Sequence, residues 1–337
     1  MGRYDLWLRK YEEKKKLILE EIQTYRLELK RVIEQLKEKN LFTKIDEKRK
    51  IDATICFIDG GDAIKELLGA SIYLIKASAL VLEKRSDKLS NERFLRDLDF
   101  GVLEYEENNK ERVELLRCLM EFQLGRDCIK KFNPDFLLMD GSLYVNANKR
   151  YSQPKLVIKH RALFNSLLKE AEKNGTKLIG VSEDSRSRVL VNYLTNRYNL
   201  KIPRFITDST LIKITAKDNI CKSITFKPLA DGSEKDYEFQ TFYLQPTPLA
   251  NPLRIDVPDL GYDIEEIASL VYNLSLGSRS YGYPIGLHLA HLDAKVEAFE
   301  MEWCTKQLAK VLEQDELFSV MLRKTRRELR PKIRYEK

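Results

Sequence analysis

Ile55-Cys56-Phe57-Ile58-Asp59-Gly60-Gly61 and Phe136-Leu137-Leu138-Met139-Asp140-Gly141-Ser142 share one pattern, a short apolar run that ends in Asp-Gly. Four apolar residues in a row have the length and composition of a strand buried on both faces. A carboxylate at the end of such a strand is costly to bury unless a cation or strong hydrogen bonds compensate it. The glycine that follows predicts a sharp turn and allows a ligand to approach the backbone. Two such carboxylates delivered to one edge of one sheet make a hard-oxygen site suited to Mg²⁺ or Mn²⁺.

Around these two strands the pattern alternates. Residues 70–83 read as the strand or strands that follow in a meander, and residues 109–131 as a helix broken before Pro134. A further helix over 151–171 ends near Gly175, and residues 177–181 form a short strand leading into a loop at 182–186 that is assigned no role. Residues 205–214, 223–227 and 238–244 read as strands, and Asp263 caps a helix running to Leu274. A turn over 277–284 precedes a helix from Ile285 to about Leu312, with Pro284 at a position tolerated at helix starts. Strands alternating with helices over this span indicate one mixed α/β domain.

Ahead of it, residues 11–39 lack Gly and Pro and read as one long helix. Ile18, Ile22, Tyr25, Leu29, Val32 and Leu36 recur at alternating spacings of four and three, the seam of a coiled coil. The seam is short, so it needs either its own domain or a partner helix to cover it.

Of the 337 residues, 33% are charged, above the roughly 25% usual in soluble domains. The excess suits a thermophile's use of Lys, Glu and Arg, and solvated helix faces would give it too. Net charge is +7, with +5 in residues 1–50, +6 in residues 318–337 and −4 between them. Basic ends around an acidic centre suit polyanions at the periphery and metal at the heart, although a solvated helix and tail produce the same balance. The five cysteines are scattered without a C-x-x-C pair, which argues against zinc or a disulfide framework and for a reducing compartment. The longest charge-free stretch, 15 residues over 239–253, is interrupted by three prolines and is short of the about 20 apolar residues a bilayer span needs. With no secretory pattern at the N-terminus, a soluble cytoplasmic protein with no membrane contact is expected.

The helix between the two Asp strands carries Glu114 and Glu121, seven residues apart and so on one face. Glu114 neighbours Arg112 and Arg117 as a surface residue would, whereas Glu121 lies among Leu119, Met120 and Phe122 and is the better candidate to turn inward. His291, between Ala290 and Leu292, is a fourth candidate if its helix faces the sheet edge; otherwise it is a satisfied core histidine. Three carboxylates and an imidazole around two divalent ions suit in-line attack on a phosphodiester, with water activated on one side and the leaving 3′-oxygen stabilised on the other. No G-x-S-x-G or P-loop motif is present.

Asp59-Gly-Gly, the helical Glu121, Asp140-Gly-Ser-Leu and Gly282-Tyr-Pro-Ile-Gly-Leu-His-Leu-Ala-His291, in this order, resemble the NurA family of archaeal and bacterial DNA nucleases over about residues 52–300. The resemblance implies an RNase H-like mixed sheet flanked by helices. It implies a Mn²⁺-dependent nuclease, with Mg²⁺ as the alternative and two ions in the site, acting as an exonuclease and as an endonuclease on single- and double-stranded DNA. It also implies a role in end resection during double-strand-break repair, a homodimer, and a hexameric HerA-type ATPase as partner. Carried onto this chain, Asp59, Glu121, Asp140 and His291 are the metal-binding and catalytic set. The expected organisation is a helical segment over 1–50, a nuclease domain over 51–313 and a basic tail over 314–337. Two other readings stand beside it: an actin-like ATPase or kinase on the same core, for which Asp62-Ala63 after Gly61 is the wrong phosphate hairpin, and a non-catalytic DNA-binding scaffold.

Overall fold

The computed structural model describes residues 3–47, 49–85, 88–143, 153–183, 186–217, 219–228, 238–277, 280–312, 320–321 and 323. Helix α1 (Arg3–Leu36) leads to strands β1 (Phe42–Thr43), β2 (Ala53–Glu66), β3 (Ala70–Arg85) and β4 (Lys88–Glu104). Helix α2 (Asn109–Phe132), β5 (Phe136–Asp140), α3 (Pro154–Asn174) and β6 (Lys177–Ser182) follow. The chain then forms α4 (Val189–Tyr198), α5 (Asp208–Ala216), β7 (Cys221–Ser223), β8 (Phe239–Gln245) and β9 (Leu253–Pro258), and closes with α6 (Ile264–Ser275), α7 (Ile285–Ala294) and α8 (Ala298–Leu312).

The nine strands among the described residues share one sheet in the order β1-β7-β8-β9-β6-β5-β2-β3-β4. Its centre is the expected RNase H-like arrangement: an antiparallel β2-β3-β4 meander, with β5 and β6 parallel beside β2. Ile55–Ile58 pairs in parallel with Phe136–Met139, residue for residue, so Asp59 and Asp140 come to the same level of the sheet. Alternation sorts the side chains. Ile55, Phe57 and Leu138 point into the core beneath α6 and α7, while Cys56, Ile58, Leu137 and Met139 point into the core beneath α2 and α3. Both layers are closed, which is why these two runs carry no polar residue before their aspartates.

Several expectations are corrected. β2 does not end at Asp59; it runs on to Glu66, because β3 pairs with it along its whole length, from Ala53↔Lys84 to Glu66↔Ser71. The turn expected after Asp59 therefore belongs to Asp140 alone, where Gly141 takes φ +92. Residues 205–214 are not a strand: Thr207 caps α5 by accepting a hydrogen bond from the Thr210 amide at 3.2 Å, and the cap outweighs the β-branched composition. The helix from Ile285 to Leu312 is two helices. Lys295, at ψ +129, breaks it, and Lys76 Nζ holds the break by donating to the Lys295 carbonyl and the Glu300 carboxylate, both at 3.0 Å. Strands β4 and β9 and helix α4 had no sequence counterpart; β4 is an edge strand whose charged, solvated residues hide its period.

The α1 seam divides along its length. Val32 and Leu36 are buried with Leu190, Leu194 and Leu211, and Tyr25 packs its ring 4.5 Å from Phe205. Ile18 and Ile22 remain about half exposed, at 45% and 53%. The sheet and its cores draw on Leu36, Phe42, Ile45 and Ile51, all upstream of or at the expected domain start. Most of the basic tail lies outside the described residues; within it, the Met321 and Arg323 carbonyls accept from the amides of Gly69 and Leu68 at the β2–β3 turn.

Candidate functional site

Strand alternation places Asp59 and Asp140 on the α7 side of the sheet, since each shares the parity of its neighbours Phe57 and Leu138. Asp59 is buried, accepts from the Gly60 amide at 2.7 Å, and accepts from His291 Nδ1 at 2.8 Å. Burial, then the charge of Asp140, pushes the Asp59 carboxyl up to about 6 against the two hydrogen bonds that pull it down. Asp140 is exposed at the strand end and accepts from the Tyr283 hydroxyl at 2.5 Å. His291 reaches Asp59 because α7 packs tightly on β2. Gly286, one turn and a half earlier, lies so close to Phe57 that a Cβ there would sit 2.4 Å from the ring. We therefore expect Gly286→Val to cost about 3 kcal/mol, the upper range for overpacking a closed core. A denaturant midpoint within error of the parent would contradict this packing.

Glu121 enters from the opposite face. It is buried on α2, and Arg117, one turn earlier on the same helix, donates to it at 2.6 Å and to the Gly60 carbonyl at 3.1 Å. The same guanidinium lies 3.1 Å from Asp62 Oδ1, at ion-pair distance though off line for a hydrogen bond. The Glu121 carboxylate fits only because position 60 has no side chain: a Cβ there would lie 2.2 Å from Glu121 Oε1. Gly60 thus provides a close approach between helix and strand, not the turn expected from sequence. Burial pushes Glu121 up to about 7, opposed by Arg117 and reinforced by Asp59 and Asp140. Glu114, two turns earlier, is half-buried, and its charge is felt by the Cys118 thiol.

The structure thus brings Asp59, Glu121, Asp140 and His291 to one region of the sheet edge. It adds two groups the sequence reading passed over. In the sequence Tyr283 stands within the Gly-Tyr-Pro turn, and its place directly before the helix that carries His291 is the available signal. Asp256 on β9 is fully buried and accepts from Ser142 Oγ at 2.5 Å, Thr241 Oγ1 at 2.6 Å and Arg254 Nε at 3.0 Å. It ties down the turn after Asp140, and Arg254 and Asp256 spaced two apart on one strand face were its signal. Ser182 ends β6 beside this turn, Glu183 follows it, and residues 184–185 lie outside those described.

The donor set suits a hard divalent cation. Buried carboxylates with elevated pKa values carry an electrostatic cost that such an ion relieves. As placed, their oxygens do not converge on one point: among the described residues no three His, Cys, Asp or Glu side chains form a ready cage, because Glu121 is turned onto Arg117.

An RNase H-like sheet with two carboxylates at the same level of adjacent parallel strands, a helix-borne glutamate and an imidazole defines the class of this protein. The NurA domain matches residues 53–296, well over half of the chain, and the chain belongs to the NurA family. It is 26% identical over 288 residues to the DNA double-strand break repair nuclease NurA of Sulfurisphaera tokodaii, covering 78% of this chain and 82% of that one. It is 24% identical to the protein of the same name from Saccharolobus solfataricus, covering 77% and 81%. In fold it is similar to the crystal structure of the NurA nuclease from Sulfolobus solfataricus, with a TM-score of 0.68, 20% identity and coverage of 94% and 98%. A NurA crystal structure bound to dAMP and manganese aligns with a TM-score of 0.58 at 13% identity, covering 93% of this chain and 99% of that one.

Proposed function

We propose that this chain is a Mn²⁺-dependent deoxyribonuclease that degrades single- and double-stranded DNA, exonucleolytically and endonucleolytically, in end resection for double-strand-break repair. The observation that carries the proposal is the residue-for-residue parallel pairing of β2 and β5, which sets Asp59 and Asp140 side by side beneath His291. The names of the relatives and the manganese in a structure of the same fold support it.

In this reading Asp59, Glu121, Asp140 and His291 are the metal-holding and catalytic set, around two Mn²⁺, with Mg²⁺ as the alternative. Bound metal would supply Lewis-acid chemistry, lowering the pKa of the attacking water and neutralising charge on the phosphate. The residues of the chain do the rest. Tyr283 holds one oxygen of Asp140 and leaves the other for the site. His291, tied through Nδ1 to Asp59, keeps Nε2 either to hold an ion or to transfer a proton, the latter a role worth on the order of 10²–10⁴-fold. Arg117 is also held by Asp62 and the Gly60 carbonyl, so it keeps partners of its own when Glu121 turns from it toward an ion.

The proposal extends to assembly. The helical segment 1–50 and the basic tail 314–337 flank the nuclease domain 51–313, and the exposed stretch of the α1 seam, Ile18 and Ile22, is covered by a second copy of the chain in a homodimer. A hexameric HerA-type ATPase feeds DNA to that dimer in the cytoplasm. No helix among the described residues is long and apolar enough to cross a membrane. β2 running extended through Gly60-Gly61-Asp62 leaves no phosphate hairpin after Asp59, which disfavours the actin-like reading. Purified protein is expected to degrade linear DNA with Mn²⁺ and to stop when EDTA is added. Protein that binds DNA but leaves it intact with Mn²⁺ would instead be a scaffold.

A further inference from the structure

Next to Tyr283 lies a cleft of about 110 Å³ lined by Glu183, Leu249, Asn251, Leu253, Ser280 and Tyr281. Among the described residues that line it there is no lysine or arginine. Tyr281 and the two leucines offer flat and apolar walls, while Asn251, Ser280 and Glu183 offer both donors and acceptors. That combination suits a neutral, planar, hydrogen-bonding heterocycle, as nucleobases are, and a carboxylate is a fitting acceptor for ring N–H and exocyclic amino groups.

The cleft adjoins the carboxylate site through aromatic contacts. The Tyr281 ring centroid is 5.6 Å from that of Tyr283, whose hydroxyl holds Asp140. His288, one turn before His291 on α7, meets Tyr281 edge-on at 5.5 Å. Glu183 follows two residues after Val181, whose carbonyl is 3.5 Å from the Tyr283 hydroxyl. Gly282, at φ +62, packs so tightly that a Cβ there would lie 2.3 Å from Ala250 Cβ, fixing the Tyr281–Tyr283 turn against residues 249–251. Tyr281 nevertheless keeps 43% of its surface exposed. An exposed ring held on a rigid turn beside a phosphodiester site is a stacking platform rather than core filler.

We infer that this cleft seats the base of the nucleotide adjoining the scissile phosphate, with Tyr281 stacking on it and Asn251 and Glu183 reading its edge. The inference rests on the nuclease reading above. The test is steady-state cleavage, with Mn²⁺, of a single-stranded thymidine tract and of an abasic tract of equal length. The parent protein should show a KM about 5- to 100-fold lower on the thymidine tract, the range expected for one stacked base. Tyr281→Ala should lose that preference by raising KM on thymidine alone, and Tyr281→Phe should keep it. Should the alanine variant unfold, Tyr281→Leu, which keeps apolar bulk without a π face, gives the same readout. Equal KM on both tracts for the parent, or a Tyr281 variant that retains the preference or loses both substrates equally, would overturn the inference. A parent protein that cuts neither tract with Mn²⁺ would overturn the nuclease reading instead.

Discussion

Asp59→Asn should lower DNA degradation by on the order of 10³-fold, a barrier increase of about 4 kcal/mol, while leaving the metal-free protein at least as stable at pH 8. The activity loss follows from removing a charged oxygen donor at the point where β2 and β5 deliver their carboxylates. The stability gain follows from the direction of the pKa shift. With the carboxyl raised to about 6 in the fold against 3.8 ordinarily, the folded state binds the proton more tightly than the unfolded chain. Stability from this group is therefore complete below about pH 4 and declines as pH rises through 6. It amounts to roughly 3 kcal/mol at most, lost by neutral pH. Asparagine keeps the shape and carries no charge to repel Asp140, so the variant should lose this part of the pH dependence. Thermal unfolding in EDTA at pH 5 and pH 8, beside the cleavage assay, measures both effects. An Asp59→Asn protein that is destabilised at pH 8 and still cleaves DNA would remove Asp59 from the site.

The same two strands explain why so much of the centre was legible in the sequence. A parallel strand covered on both faces must be apolar without interruption, so Ile55–Ile58 and Phe136–Met139 announce themselves, and the aspartates that end them stand out as exceptions. Strand β9 is equally buried but was invisible, because Arg254 and Asp256 satisfy each other inside the core and read, in one dimension, as surface charge. Helix α5 was misread because isoleucine and threonine dominate it, and only the Thr207 cap and its packing against Leu190 and Val32 decide its state. At the site, Glu121 was separable from Glu114 by its apolar neighbours. Its ion pair with Arg117 and its entry over Gly60 depend on how α2 lies across the sheet, which no local pattern encodes. Tyr283 was hidden for the same reason: its partner Asp140 is 143 residues away.

Glu121→Gln should reduce cleavage by about 10²-fold or more, and Glu114→Gln should stay within about twofold of the parent, given that a purely surface carboxylate makes no contribution to the barrier. The two residues share a helix face, and what separates them is depth. Glu121 is buried against Gly60 and feels Asp59 and Asp140, while Glu114 is half-buried beside Cys118. Arg117 supplies an independent check. It is the strongest influence holding the Glu121 carboxyl down against burial, so Arg117→Gln leaves that carboxyl buried without its cation and raises its pKa above about 7. Glu121 then stays protonated to higher pH, and the acidic limb of the cleavage profile should move to higher pH in Arg117→Gln. Because Glu121 no longer titrates in Glu121→Gln, adding Arg117→Gln to that variant should produce no such movement. A profile that shifts equally in both proteins would mean that Arg117 acts on another group. An unshifted profile in Arg117→Gln, with Glu114→Gln as damaging as Glu121→Gln, would transfer the role of third carboxylate to Glu114.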